Sequence, residues 1–218
     1  MSGVPEVLAD FRKNTADHAM TIVHDDGLRR HLRFRKPGTY CYGFDVVTWP
    51  GHLAITGDMG TSVFARLDDM FEFFRSAESW KCDHPGELYV NTSYWAEKLV
   101  ANDGDARRYD PDLFRKEIKR RFDGYFDGED LTPAQEVAKA ELWESIEEEV
   151  LHDEDHEYAA NESVRNWENT SAEFPEFAFN DFWEARLTDY TFHLRWRMYA
   201  IAHAVAAYDA FAAYRGDT

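Results

Sequence analysis

His24, Asp25 and Asp26 stand in a row just before Gly27, and Arg30, His31, Arg33, Asp45, His52 and Asp58 follow close behind in the chain. Imidazoles and carboxylates of this kind can take and return protons near neutral pH. Guanidinium groups can clamp a phosphate through two parallel hydrogen bonds, and histidines with carboxylates at one sheet edge could hold a divalent metal. The chemistry on offer is that of a small-molecule site, nucleotide-binding or hydrolytic. A plainer account of the same residues is a turn in which Asp25 and Asp26 cap backbone groups and the arginines pair with acids of packed helices. A second constellation, His152-Asp153-Glu154-Asp155-His156, sets two histidines four residues apart, the spacing that metal ligation from one helix face needs. Asp stands there in place of the glutamate base of zinc peptidases, and no apolar run surrounds it, so an exposed acidic helix accounts for it better. The chain has no phosphate-binding glycine loop, dinucleotide fingerprint, nucleophile elbow or paired-cysteine motif, so no reaction class is favoured and no cofactor or metal is expected.

The elements that must position the first cluster read as a run of short strands. Residues 20–24 (MTIVH) and 28–35 (LRRHLRFR) flank Asp25-Asp26-Gly27, a hairpin signal in which glycine takes the positive φ. Pro37-Gly38 breaks the chain before 40–49 (YCYGFDVVTW), and Trp49-Pro50-Gly51-His52 turns it back. Residues 53–56 (LAIT) and 62–66 (SVFAR) complete an antiparallel meander of five strands. Side chains two apart share a face of a strand, which puts Arg29, His31, Arg33 and Arg35 on one side and Leu28, Arg30, Leu32 and Phe34 on the other. A row of like charges needs a counter-charge, and Asp25, Asp26, Asp45 and Asp58 are the nearest in sequence.

Helices should cover that sheet. Residues 4–18 predict a short leading helix through Val4, Leu8 and Phe11, and Asp68-Asp69 predicts an N-terminal cap for a helix bearing Met70, Phe71, Phe73 and Phe74. Residues 79–87 read as a loop, 91–101 and 110–126 as helices, the second capped by Asp110 with Pro111 in its first turn. Thr132-Pro133-Ala134-Gln135 is a capping-box pattern ahead of an uninterrupted helical run to His152. From Phe179 to Tyr214 there is neither Pro nor Gly, and Phe179, Trp183, Leu187, Tyr190, Leu194, Met198, Ile201, Val205, Tyr208 and Ala212 recur at steps of three and four. The spacing predicts one long C-terminal helix over 179–214. The fold class expected is α+β, a single domain over 1–218 with its sheet-forming part at 19–67.

Charge is the strongest global signal. Residues 123–189 hold 21 of the 42 acidic residues and three of the 24 basic ones, so the chain's net charge of −18 lies wholly in this segment. A field of that sign repels nucleic acid and membrane surfaces and attracts basic protein surfaces. Glu144, Glu147, Glu148, Glu149, Asp153, Glu154, Asp155 and Glu157 are the candidate contact residues, and imitation of a nucleic-acid backbone is the sharpest form of that reading. A solvated helical face that maintains solubility is the plainer one. With 44% hydrophobic and 16% aromatic residues the chain is folded, not disordered. Its start, MSGVPEVLADFRKN, predicts no signal peptide, no run is apolar and long enough for a membrane span, and the isolated Cys41 and Cys82 suit a reducing cytoplasm.

The strings HDDGLRRHLRF, FDVVTWPGHLAITGDMG, VFARLDDMFEFF and HLRWRMYAIAHAVAAYD resemble segments of a family of small proteins encoded by tailed bacteriophages and prophages. The resemblance covers most of the chain, the acidic middle least. That family carries no established activity, so no catalytic residue transfers; the resemblance implies phage origin, a bacterial cytoplasm and a role in managing the host. Two functions follow as expectations. One is a non-catalytic phage accessory protein whose acidic lobe binds and inhibits a host protein with a basic surface, such as a nucleic-acid-binding or defence protein. The other is a small-molecule or nucleotide site in the cluster from His24 to Asp58.

Overall fold

The computed structural model describes residues 6–75 and 87–216. The loop expected at 79–87, with its Pro85-Gly86 break, lies outside the described residues save for Glu87, as do Val4 of the leading helix and Cys82. The chain divides into two compact units, Met1–Ala106 with Tyr190–Thr218, and Arg107–Asp189.

The first unit is built on a six-stranded antiparallel sheet in sequential order: β1 (Ala19–Asp26), β2 (Arg29–Arg35), β3 (Phe44–Trp49), β4 (His52–Gly57), β5 (Ser62–Ala65) and β6 (Leu99–Asn102). The alternation predicted for β2 holds, since Leu32 and Phe34 are buried while Arg29 and Arg33 face solvent. Phe44, Val46, Leu53, Ile55 and Phe64 lie on the same inner face, all at most 1% exposed. They pack with α1 (Glu6–Thr15), α2 (Met70–Phe74) and the long terminal helix in one core, each large apolar side chain contributing roughly 1.5–3 kcal/mol by leaving water. Gly57 shows how tightly the meander closes. It sits opposite Phe44, where an added Cβ would overlap the Gly43 carbonyl oxygen and stand 2.8 Å from Phe44 Cα.

Two expectations for this unit need correction. The helix expected over 91–101 is only one turn and a half, α3 (Thr92–Ala96), after which the chain extends into β6. The open edge of β5 takes up Leu99–Asn102, with Ser62 Oγ donating to Asn102 Oδ1 at 2.7 Å, so tertiary pairing overrides a weak helical preference. The terminal helix begins later than its apolar period suggests. Thr191 caps it by accepting from the Leu194 N–H, and it runs as Phe192–Arg215. Of the expected stripe, Leu194, Met198, Ile201 and Val205 are buried on it, whereas Phe179, Trp183, Leu187 and Tyr190 precede it. Trp196, Arg197, Ala200, Ala202 and Ala204 are buried too, so between Leu194 and Val205 more than one face of the helix is covered.

The second unit has its own core. β7 (Arg107–Tyr109) pairs with β8 (Thr188–Tyr190) at the two chain crossings. Between them lie α4 (Pro111–Tyr125), α5 (Pro133–Glu149), α6 (Glu157–Asn166) and one 3-10 turn, Phe182–Glu184. The caps are those the sequence announces: Asp110 accepts from the N–H groups of Asp112 and Leu113, and Thr132 with Gln135 forms a full capping box. Phe114, Ile118, Phe122, Leu142, Ile146, Phe177 and Phe182 make the core. Calling the terminal helix α7, the described residues hold seven α-helices and eight strands.

Candidate functional site

β2 and β3 carry the cationic row and its counter-charge in register, since Arg33 lies opposite Asp45 and His31 opposite Val47 on the outer face. One carboxylate serves two guanidinium groups and an imidazole. His31 Nε2 donates to Asp45 Oδ2 at 2.7 Å, Arg33 Nη2 to the same oxygen at 3.0 Å, and Arg35 Nη2 reaches Oδ1 at 2.7 Å. Asp45 is 7% exposed because these side chains roof it. Burial pushes its carboxyl up, but the hydrogen bonds from Arg33 and His31 and the charges of Arg35 and Arg33 outweigh burial and hold it below the ordinary carboxylate range. Every acceptor position of Asp45 is used, which is the geometry of a brace rather than of a free base.

The remaining members of the expected cluster scatter. Arg30 falls on the inner face, where it pairs bidentately with Asp69 at 2.8 and 3.0 Å and lies 4.7 Å over the Phe71 ring. Asp69 also caps α2 by accepting from the Phe71 N–H, so one carboxylate ties strand to helix. Asp25 accepts from the Tyr208 hydroxyl at 3.1 Å and, with Arg30, lines a cleft of about 340 Å³ beside the Arg75–Asp209 ion pair. Asp58 accepts from the Tyr42 N–H at 2.8 Å, fixing Tyr42 at φ +54. His52 stacks on Trp49 at 5.1 Å between centroids. His24 and Asp26 are exposed at the hairpin. Eight of the nine residues thus lie on strands, divided between the two sheet faces, and Asp58 in the loop after β4; side chains converge at Asp45 with His31 and Arg33, while Asp25 and Arg30 share the other cleft. No group of three or more His, Cys, Asp or Glu among the described residues could hold a metal ion.

The paired histidines of the second unit are not on a helix. Residues 151–156 form turns between α5 and α6, with His156 at the N-cap position. Val150 and Leu151 are buried, and Ser163 Oγ donates to the Val150 carbonyl, so the chain leaves α5 there. The acidic candidates mostly face water: Glu144, Glu147, Glu148, Glu149, Asp153, Asp155 and Glu157 are exposed. Glu154 differs, as Arg115 pairs with it at 2.7 Å and its backbone carbonyl accepts from the Tyr109 hydroxyl. Burial, then the charges of Glu154 and Glu157, push that phenol up to about 12.

Glu147, Glu148 and Glu149 form the last turn of α5, which has no basic residue. Carboxylates at a helix C-terminus meet its negative pole, and Glu144 adds like charge three and four residues away. Sequence reasoning missed a further feature, the aromatic cleft of about 490 Å³ bounded by Trp167, Phe177, Phe179 and Trp183, because two of those residues fitted the stripe of a longer helix. No helix among the described residues is long and apolar enough to cross a membrane. No protein-family model, curated protein or solved structure matches this chain.

Proposed function

We propose that this chain is a binding protein, not an enzyme: a phage accessory protein whose second unit engages a basic surface on a host protein and blocks it. One observation carries the reading. Among the described residues no ion pair within 4 Å holds the exposed carboxylates Glu147, Glu148 and Glu149, Arg115 acting on Glu147 only at longer range, and they stand at the helix end where they cost stability. Self-repulsion of this kind is relieved when a cationic partner arrives, and such fields raise association rates and exclude partners of like charge. In the first unit, by contrast, acids and bases are mutually satisfied at Asp45, Asp69 and Asp209, which leaves little for a substrate to pair with.

Partners captured from bacterial lysate and identified by mass spectrometry supply the test. Replacing Glu147, Glu148, Glu149, Asp153 and Asp155 by Gln or Asn should slow association with such a partner and flatten its salt dependence while the fold persists. An association rate that is unchanged across the series removes the reading.

A further inference from the structure

Phe182 and Trp183 are neighbours placed oppositely. Phe182 is 5% exposed and meets Phe114 edge-on at 5.7 Å between centroids, whereas Trp183 is 78% exposed. The turn that parts them is braced by Arg121. Its guanidinium donates to the carbonyl oxygens of Asn180 and Asp181 and lies 5.1 Å over the Phe182 ring, while Glu117 holds it at 2.7 Å. Asp181 takes φ +52, a left-handed conformation that Asp tolerates better than most residues. Trp183 is therefore displayed on a tethered turn, and Trp is among the side chains that most often anchor an interface.

The cleft beside it has apolar walls that include Val164, Trp167, Phe177 and Phe179. Arg165, in the same wall, is paired with Glu162. Around it carboxylates outnumber cations: Glu168, Glu176, Asp181 and Glu184 are exposed and each is next in sequence to a residue of the wall, while Arg165 and Arg121 are held by Glu162 and Glu117. An aromatic-lined seat with an acidic rim complements an apolar side chain flanked by cations. We infer that the cleft seats an apolar or aromatic side chain of a basic peptide segment of the partner, whose lysines or arginines meet the rim carboxylates. The anchor sets how long the complex lasts and the rim how fast it forms. This inference rests on the binding reading above and adds its point of attachment.

Three fluorescein-labelled hexapeptides test it by fluorescence anisotropy with the full chain: Lys-Lys-Trp-Leu-Lys-Lys, Lys-Lys-Ser-Gly-Lys-Lys and Glu-Glu-Trp-Leu-Glu-Glu. The first should bind at least tenfold tighter than either of the others. Trp183→Ala, at an exposed position, should bring the first peptide down to the level of the second. Asp181→Asn with Glu184→Gln should weaken the first severalfold and reduce its salt dependence. Equal binding of the two lysine peptides overturns the inference while leaving the acidic-surface reading standing. Equal binding of the two Trp-Leu peptides overturns the inference, since the cleft would then take an apolar group regardless of charge, and the acidic-surface reading is decided separately by the partner's association rates. A preference for the first peptide that survives Trp183→Ala also overturns the inference.

Discussion

Asp45→Asn removes the single carboxylate shared by the Arg33 and Arg35 guanidinium groups and the His31 imidazole while keeping nearly the same volume. Each contact is a charge-assisted hydrogen bond, worth about 1.5–3 kcal/mol where buried and about 0–1 kcal/mol at an exposed surface. Asp45 is buried, but the Arg33 side chain is 46% exposed, so its contact belongs near the lower figure. His31 and Arg35, at 26% and 20%, lie between. Allowing for the desolvation cost that Asn no longer bears, the net loss should be about 2–3 kcal/mol at pH 7, a fall of about 10 °C in the melting temperature of the first unit. Because the chain has two units, amide exchange in β2 and β3 should be followed beside the melt, so that the loss is located in the right one. The pH dependence has a definite sign. The folded Asp45 carboxyl is depressed, so its contribution is complete above the unfolded value near 3.8 and disappears as pH falls through the lower folded value. The gap between wild type and variant should therefore begin to narrow as pH falls below about 3.8. A loss under about 0.5 kcal/mol at pH 7, or a gap that persists unchanged at pH 2, would refute the brace.

Four other outcomes are expected. His203 is held below the ordinary imidazole range by burial, so its contribution is present above about pH 6.5 and fades as pH falls further; His203→Phe, whose ring would still meet Phe11 and Phe34, should flatten the stability profile below about pH 6.5. Gly57→Ala should cost more than about 2 kcal/mol in denaturant melts, because its Cβ would strike the backbone of Gly43 and Phe44. Arg197→Lys should cost about 2 kcal/mol, since an ammonium cannot reproduce the planar fork that bonds both the Thr61 carbonyl and Asn102 Oδ1. Replacing Glu147, Glu148 and Glu149 by Gln should raise the stability of the second unit by about 1 kcal/mol in the same melts, even as it weakens partner binding.

The parts of the fold legible in the sequence are those set by local chemistry. Gly27 at φ +59 turns the first hairpin, Asp110 and Thr132 start their helices, and the two-residue alternation of β2 assigns its faces without any knowledge of partners. Asp45 as counter-charge could be narrowed to four candidates but not chosen, because the choice depends on the β2–β3 register, which places it opposite Arg33. The alternation alone, by contrast, already separates Arg30 from His31: adjacent in sequence, they lie on opposite faces of the sheet. β6 was invisible for a related reason, since its residues become a strand only beside the exposed edge of β5.

The stretch from Phe179 to Tyr190 shows why the cleft could not be read in advance and why it bears on function. Its aromatics recur at helical spacing, and nothing in the segment breaks a helix, so periodicity alone extends α7 backwards. The cap at Thr191 and the Arg121 clamp on Asn180 and Asp181 decide otherwise, and both depend on what the segment meets after folding. A continuous helix would have spread Phe179, Trp183 and Leu187 along one stripe. The turn instead buries Leu187 and Phe182 and leaves Trp183 in water beside Phe179. The exposed indole and the exposed carboxylates at the end of α5 both fall within Arg107–Asp189. A basic surface bearing an apolar anchor would complement both together, which neither a nucleic acid nor an uncharged small molecule does.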